Sequence, residues 1–410
     1  MRVRGISTVR RLEPPWLLLG NHVSYWDPIL ANVYVPHTVA WVSADANYRS
    51  AFLRFALTVT GAIAKMQARA DLGAVLQIVS EARAGRVVGL FPEGRRTWSG
   101  RTMPILTASA KLVKLLRIPV VTCTTRGGFL SDPRWSPETR PGRMELHYQL
   151  VFQAEELRRM PLQAVEARLN EALYQDDWEW AARNPEFRYR SRNPAEHAHI
   201  AFHSCPDCGR TGTLLSFRDE LSCANCGFRA IFSDTSVEIP HNAAGVFNLH
   251  DWFLWQRGLL ERQSSAGQFP TLRAGPVRLT VGERSMDVQP VRYGYVELQQ
   301  DQLLFRSHCQ PRLPQILASR GVPAEHLDER GLRIPLSLLE SPNVHDHEKV
   351  ECYARRSSSP DSGRRFYSFR PRDAVLNGLL WYDSLLLRSE AALRAEEDRN
   401  GEPGMLADAR

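Results

Sequence analysis

The chain has 410 residues, 43% of them hydrophobic and 24% charged, the make-up of an ordinary globular protein with room for two or three cores. Its formal charge is +7, carried almost wholly by arginine, since lysine occurs only at Lys65, Lys111, Lys114 and Lys349. No run of about 18 apolar residues offers a membrane-crossing helix, and no apolar stretch follows Arg2, Arg4, Arg10 and Arg11 as a secretory leader requires. The basic balance suits anionic partners, although arginine in place of lysine also follows from GC-rich coding. Four of the seven cysteines stand at paired spacing and three are scattered (Cys123, Cys309, Cys352), which is no disulfide framework and points to a reducing compartment.

Residues 1–182 read as α/β. Apolar runs of strand length lie at 16–20, 40–43, 61–66, 86–91 and 118–125, with helical patterns at 28–34, 50–60, 72–84 and 105–116 between them. Such alternation predicts a mostly parallel sheet covered by helices. A strand over 143–152 and one helix over 154–174 complete the domain. Residues 183–199 read as a polar linker with Arg-Asn-Pro twice. A cysteine module follows at 200–235. A β-rich domain with a C-terminal helix spans 236–395: a Trp- and Leu-rich helix at 247–263, strands at 277–281, 293–299, 302–307, 332–336, 350–354 and 366–370, and a helix over 374–395. Residues 396–410 are expected to be a disordered tail.

The sharpest signal is Asn21-His22-Val23-Ser24-Tyr25-Trp26-Asp27-Pro28, directly after the strand at 16–20. A histidine at the end of a parallel strand stands where α/β sheets build their sites. Imidazole is matched to proton transfer near neutral pH. Asp27 meets His22 only if the histidine sits in the loop and the aspartate in the first helical turn; it then fixes the ring tautomer and leaves the other nitrogen as base. A satisfied histidine with Asp27 as a mere cap fits these residues equally. The second signal, Phe91-Pro92-Glu93-Gly94-Arg95-Arg96, also follows an apolar strand. Gly94 permits close backbone approach, and two arginines offer forked donors for a phosphate; a turn with two solvated arginines is the bland reading.

Together these motifs resemble the glycerophospholipid (lysophosphatidic acid) acyltransferases, which carry N-H-x-x-x-x-D and, later, F-P-E-G-T-R-S. Asn21, His22 and Asp27 match the first motif. Phe91, Pro92, Glu93, Gly94 and Arg96 match the second, with Arg95 in place of threonine. In the block between them Gly61-Ala62-Ile63 matches, but Met66-Gln67 replaces Asp-Arg, leaving Arg69 as a substitute. Ile118-Pro119-Val120-Val121 matches a fourth block. The resemblance implies a glycerolphosphate-acyltransferase-like fold over residues 5–175 and transfer of a fatty acyl chain, from acyl-CoA or acyl carrier protein, to a lysophospholipid hydroxyl. The implied acceptor is 1-acylglycerol-3-phosphate, giving phosphatidic acid. His22 is implied as base and Asp27 as its orienter, with Asn21, Glu93, Gly94, Arg95 and Arg96 as substrate-binding residues and no catalytic metal. Another lysolipid, an amino-acid lyso-lipid or a non-catalytic lipid-binding scaffold are the alternatives. With no apolar helix ahead of the first strand, contact with an anionic membrane on its cytoplasmic face is expected from surface features, such as the stripe Lys111, Lys114 and Arg117. Cys123 reads as a packing thiol rather than a nucleophile.

Cys205-Pro206-Asp207-Cys208-Gly209 and Cys223-Ala224-Asn225-Cys226-Gly227 form two knuckles with the spacing of a Cys₄ metal site. They resemble a zinc ribbon, which implies structural zinc, against a redox pair or iron. His203 reads as incidental. The ribbon is expected to be a joint between domains, without which the N-terminal domain retains partial activity, and no nucleic-acid partner is expected. The order of elements after residue 275 resembles a pleckstrin-homology or GRAM-type domain, which implies a lipid- or protein-docking module.

Overall fold

The computed structural model describes residues 1–65, 72–307, 312–345, 348–359, 362–372 and 376–400. The block at Met66-Gln67, with Arg69, lies outside the described residues, as does Cys309.

Seven strands form the first sheet: β1 Arg2–Arg4, β2 Leu17–Gly20, β3 Val39–Ala44, β4 Ile63–Lys65, β5 Val87–Leu90, β6 Val120–Arg126 and β7 Glu145–Phe152. Their order is β1-β7-β6-β2-β5-β3-β4. β2 pairs in parallel with β5 and β6, and β3 in parallel with β5 and β4; only the β6–β7 pair is antiparallel. β2 and β5 are buried at every residue, which is why they read as unbroken apolar runs: a parallel sheet is covered on both faces. Because β2, β3, β5 and β6 point the same way, the segments after them gather at one edge. The histidine loop follows β2, residues 45–59 follow β3 and the second motif follows β5.

Two local readings are corrected. The single helix expected over 154–174 is two, Ala154–Arg159 and Leu162–Leu173. Pro161 has no N–H to continue the ladder and instead caps the second. The stripe of Lys111, Lys114 and Arg117 is not a free basic face, because Lys114 Nζ donates to Leu157 O (2.8 Å) and Met160 O at the end of the first of these helices.

The cysteine module folds as an antiparallel sheet of β8 Leu214–Phe217, β9 Glu220–Cys223, β10 Arg229–Phe232 and β11 Val237–Glu238. A helix follows at Leu249–Ser265. The last region is an eight-stranded antiparallel sheet built from β12 Leu272–Gly282, β13 Val288–Leu298, β14 Gln302–Arg306, β15 Leu327–Asp328, β16 Gly331–Pro335, β17 Leu339–His345, β18 Lys349–Arg355 and β19 Arg364–Pro371. Two meanders meet where β12 pairs with β19. The closing helix runs Gly378–Asn400, past the expected end at 395. Asn377, whose side chain accepts from Leu380 N at 3.2 Å, sets its start. Residues 401–410 lie outside the described residues.

The N-terminal sheet has its own cores around Leu17, Leu19, Val88 and Phe152 on one side and Trp16, Leu18 and Trp41 on the other. A third core crosses the expected boundary. It joins Val23, Trp98, Phe129 and Trp135 to Phe202, Cys205, Trp252 and Leu379. Trp135 packs edge-on against Phe202 and Phe232, with ring centroids 5.6 and 6.0 Å away. The ribbon is therefore no independently packed joint: it shares a core with the loops after β2 and β5. Residues 183–199 are packed as well, with Tyr189 donating to Arg143 O and Arg140 Nη2 to Pro194 O.

Candidate active site

Gly20 ends β2 because a Cβ there would lie 2.6 Å from the Phe91 ring. That close approach lets Phe91 fill the space between Trp41 (ring centroids 5.1 Å, 10°) and His22 (4.3 Å, 20°), so the imidazole lies stacked on a fixed aromatic platform. His22 keeps 21% of its side chain exposed, while Asp27 is 1% exposed at the start of the helix Asp27–Asn32. Asp27 Oδ2 is 3.0 Å from His22 Nδ1 and also accepts from Val23 N (2.7 Å) and Ser24 N (2.8 Å). Three donors on one oxygen fix the carboxylate. With Nδ1–H donating to it, Nε2 is the imidazole's unprotonated nitrogen. Burial lowers the proton affinity of His22 below the ordinary range, and Arg96 and Arg134 add to this; the hydrogen bond and charge of Asp27 oppose it. The ring is thus held neutral and able to take a proton.

The second motif contributes in unequal ways. Gly94 adopts φ +75°, a backbone state that side chains disfavour, and it is exposed. Arg96 Nη2 contacts Asp132 O and Oδ2 at 3.1 and 3.2 Å, with 11% of its side chain exposed. Three expected substrate contacts are corrected. Asn21 is fully buried and spends its amide on the backbone of Thr125, donating to its O (3.0 Å) and accepting from its N (2.7 Å), so it pins β2 to β6. Glu93 is 4% exposed and accepts His22 N and Met103 N, each at 2.7 Å, so it ties the two loops together. Burial pushes its carboxyl up to about 8, with those two N–H groups pulling against it. Arg95 turns to the C-terminal helix, its Cζ 4.9 Å from the Tyr382 ring centroid.

Two residues were not found from sequence. Asp132 Oδ2 accepts from Ser24 Oγ, Tyr25 N and Arg96, and so links both motif loops. Arg134 donates to Arg96 O (2.9 Å) and Val344 O (3.0 Å) and lies 3.9 Å over Trp98. Both stand alone in an irregular segment more than 100 residues from His22, with no motif to announce them. Cys123 lies buried in β6, its thiol pushed up to about 12 by burial, which suits packing rather than attack.

The ligand atoms of Cys205, Cys208, Cys223 and Cys226 all lie within 4.8 Å of one another. Cys205 Sγ is 3.6 Å from Cys226 Sγ, and Cys208 Sγ is 3.8 Å from Cys223 Sγ. Zinc–sulfur bonds of about 2.3 Å in a tetrahedron give sulfur–sulfur edges of about 3.8 Å, so the donor set fits zinc. His203, fully buried, contacts Ser204 Oγ through Nδ1 (2.9 Å) and is not a member of the sulfur cluster.

The site thus offers a base-competent histidine oriented by a pinned carboxylate, at the sheet edge where the basic loop also ends, an arrangement suited to proton abstraction. Residues 1–126 match the family model described as Acyltransferase. No curated protein matches the chain. Among solved structures, the chain is similar to the 1-acyl-sn-glycerophosphate (LPA) acyltransferase PlsC from Thermotoga maritima. The identity is 15% and the TM-score 0.39, over 46% of this chain and 73% of that one.

Proposed function

We propose that the protein transfers a fatty acyl chain from an acyl thioester, acyl-CoA or acyl carrier protein, to the free hydroxyl of a lysophospholipid, with 1-acylglycerol-3-phosphate as acceptor and phosphatidic acid as product. The observation that carries this reading is the His22–Asp27 pair, with its carboxylate held by two backbone N–H groups. His22 Nε2 takes the acceptor's hydroxyl proton as the oxygen attacks the thioester carbonyl carbon. The tetrahedral intermediate expels the thiolate, which recovers the proton from His22. Asp27 stabilises the imidazolium between these steps. Arg96, beside the exposed turn at Gly94, is our candidate for the acceptor phosphate, and Arg134 adds positive charge.

The same edge supports a lipid substrate. Tyr25, Trp26, Ile29 and Val33 are about half exposed or more, and the apolar helix Ala51–Val59 leaves Phe55 and Val59 each 69% exposed. Apolar side chains grouped around a site in this way suit the headgroup–acyl boundary of a membrane. Among the described residues no helix is long and apolar enough to cross a membrane. We therefore propose peripheral attachment to an anionic bilayer on its cytoplasmic face. We also propose that the four cysteines hold one structural zinc, and that the β-rich domain is a docking module of pleckstrin-homology type. The test is transfer from labelled acyl-CoA, and separately from acyl carrier protein, to a panel of lysolipids in mixed micelles. The reading predicts 1-acylglycerol-3-phosphate as the best acceptor; preference for an acceptor without phosphate would overturn the acceptor assignment.

A further inference from the structure

Arg95 departs from the threonine that the resembling family carries, and its side chain runs away from the exposed turn. Its Nη1 is buried and has no hydrogen-bond partner among the described residues, and the guanidinium lies over the face of Tyr382. A half-buried guanidinium over an aromatic ring is held by the ring's negative face, an attraction that strengthens as water is excluded. Tyr382 stands on the closing helix of the β-rich domain, three residues after Leu379. Leu379 is fully buried in the core that contains Val23, the neighbour of His22, and Trp98 of the motif loop. A second tie lies close by, where Ser99 Oγ meets His250 Nδ1 at 3.1 Å. The closing helix thus shares a core with both loops that build the site, and the Ser99–His250 contact ties the motif loop to the neighbouring helix Leu249–Ser265.

We propose that Tyr382 is a positioning residue: by holding Arg95 it fixes the loop that carries Glu93, and through Glu93 the backbone of His22. The chain of contacts is continuous. Tyr382 holds Arg95 and Arg95 lies two residues from Glu93. The Glu93 carboxylate receives the N–H of His22 on one oxygen and that of Met103 on the other. The charge of Arg95 also favours the ionised carboxylate that can accept both bonds, against the burial that disfavours it. A threonine at position 95 has no guanidinium to stack, so in this chain the C-terminal helix takes a part in the site that the motif alone does not require. The β-rich domain thereby supports the acyl-transfer site from behind, and this statement rests on the function proposed above.

The test uses the full chain with Tyr382→Leu, Tyr382→Phe and Arg95→Met, and two readouts. The first is amide hydrogen exchange of the peptides containing His22 and Met103, which requires no activity. The second is the split between acceptor KM, donor KM and kcat. Loss of a desolvated cation–ring contact corresponds to roughly 5–30-fold, so Tyr382→Leu and Arg95→Met should each speed exchange at both amides by about that factor. They should raise acceptor KM or lower kcat with donor KM unchanged, while Tyr382→Phe, which keeps the ring face, behaves as wild type. Wild-type exchange at both amides in folded Tyr382→Leu and Arg95→Met proteins would overturn the proposal. So would a Tyr382→Phe protein as impaired as Tyr382→Leu. If Tyr382→Leu does not fold, Arg95→Met, which leaves the helix intact, decides. A wild-type chain that transfers no acyl group would sink the proposed function, and the exchange arm would still decide this inference.

Discussion

Asp27 Oδ2 lies 3.0 Å from His22 Nδ1 while the same oxygen accepts the backbone N–H groups of Val23 and Ser24. The carboxylate that orients the base is thus seated in the loop that carries the base. A spacing of five residues suffices because the first turn of the helix folds Asp27 back over residues 22–24. No long-range contact is needed to bring the pair together, whereas the loop's place relative to the second motif depends on Glu93 and Asp132.

The pH dependence follows from the burial of His22. Burial lowers its proton affinity and Asp27 partly restores it, so the acid limb of kcat/KM should fall below the ordinary histidine value of 6.5. Asp27→Asn removes the restoring charge and frees the ring to adopt the wrong tautomer. The limb should move further down and kcat should drop by roughly 10²–10⁴. A pH–rate profile of both proteins checks this, and a wild-type limb above the ordinary value would contradict the assigned environment.

Glu93 should leave a signature in stability. Burial raises its carboxyl from 4.5 to about 8 in the folded chain, so between these values the folded state holds more protons than the unfolded one. Its contribution to stability is then fullest below about pH 4.5 and declines as pH rises through about 8. Denaturant unfolding of wild type and Glu93→Gln across this window should show the wild-type advantage shrinking as pH rises. A constant difference would refute it. The amide also turns a donor toward the N–H of His22 or Met103, a loss of about 1–3 kcal/mol.

Removal of the metal should abolish activity rather than trim it. The cysteine cluster and Trp98 share one core, and Trp135 packs on Phe202 and Phe232 of the ribbon. Metal analysis should find one zinc per chain. Cys226→Ser, or strong chelation, should lower the unfolding temperature and eliminate transfer together. A fragment ending near residue 184 that retained transfer would show that the shared core does not matter to the site.

Arg96→Ala should raise acceptor KM by roughly 10–100-fold, the range of a lost charge-assisted contact, with little effect on donor KM. Steady-state kinetics with each substrate varied in turn makes the comparison, and a selective rise in donor KM would place the wrong substrate at Arg96.

Much of the N-terminal domain was legible because strands covered on both faces carry unbroken apolar runs, as in β2 and β5. His22 and Asp27 were legible because their pairing is local. β1 was not, since Arg2–Arg4 is three residues long, two of them charged, and finds its partner in β7 some 140 residues away. The break at Pro161 follows from proline chemistry alone, since Pro161 has no N–H to continue the helix. A motif names residue types, not which way an atom faces, so the substrate role that the resemblance implies for Asn21 and Glu93 does not anticipate that both spend their polar atoms on backbone groups. The shared core of ribbon and active-site loops is a tertiary fact. Trp98 and Phe202 each read as an ordinary apolar residue, and no periodicity joins them.

The most direct test of the central claim is acyl transfer by His22→Ala, with its fold verified by an unchanged unfolding temperature and circular dichroism. The account predicts a fall in kcat of roughly 10²–10⁴ with acceptor and donor KM little changed, because only the proton acceptor is lost. A folded His22→Ala protein that transfers acyl groups at near wild-type rate would contradict the assignment of His22 as base.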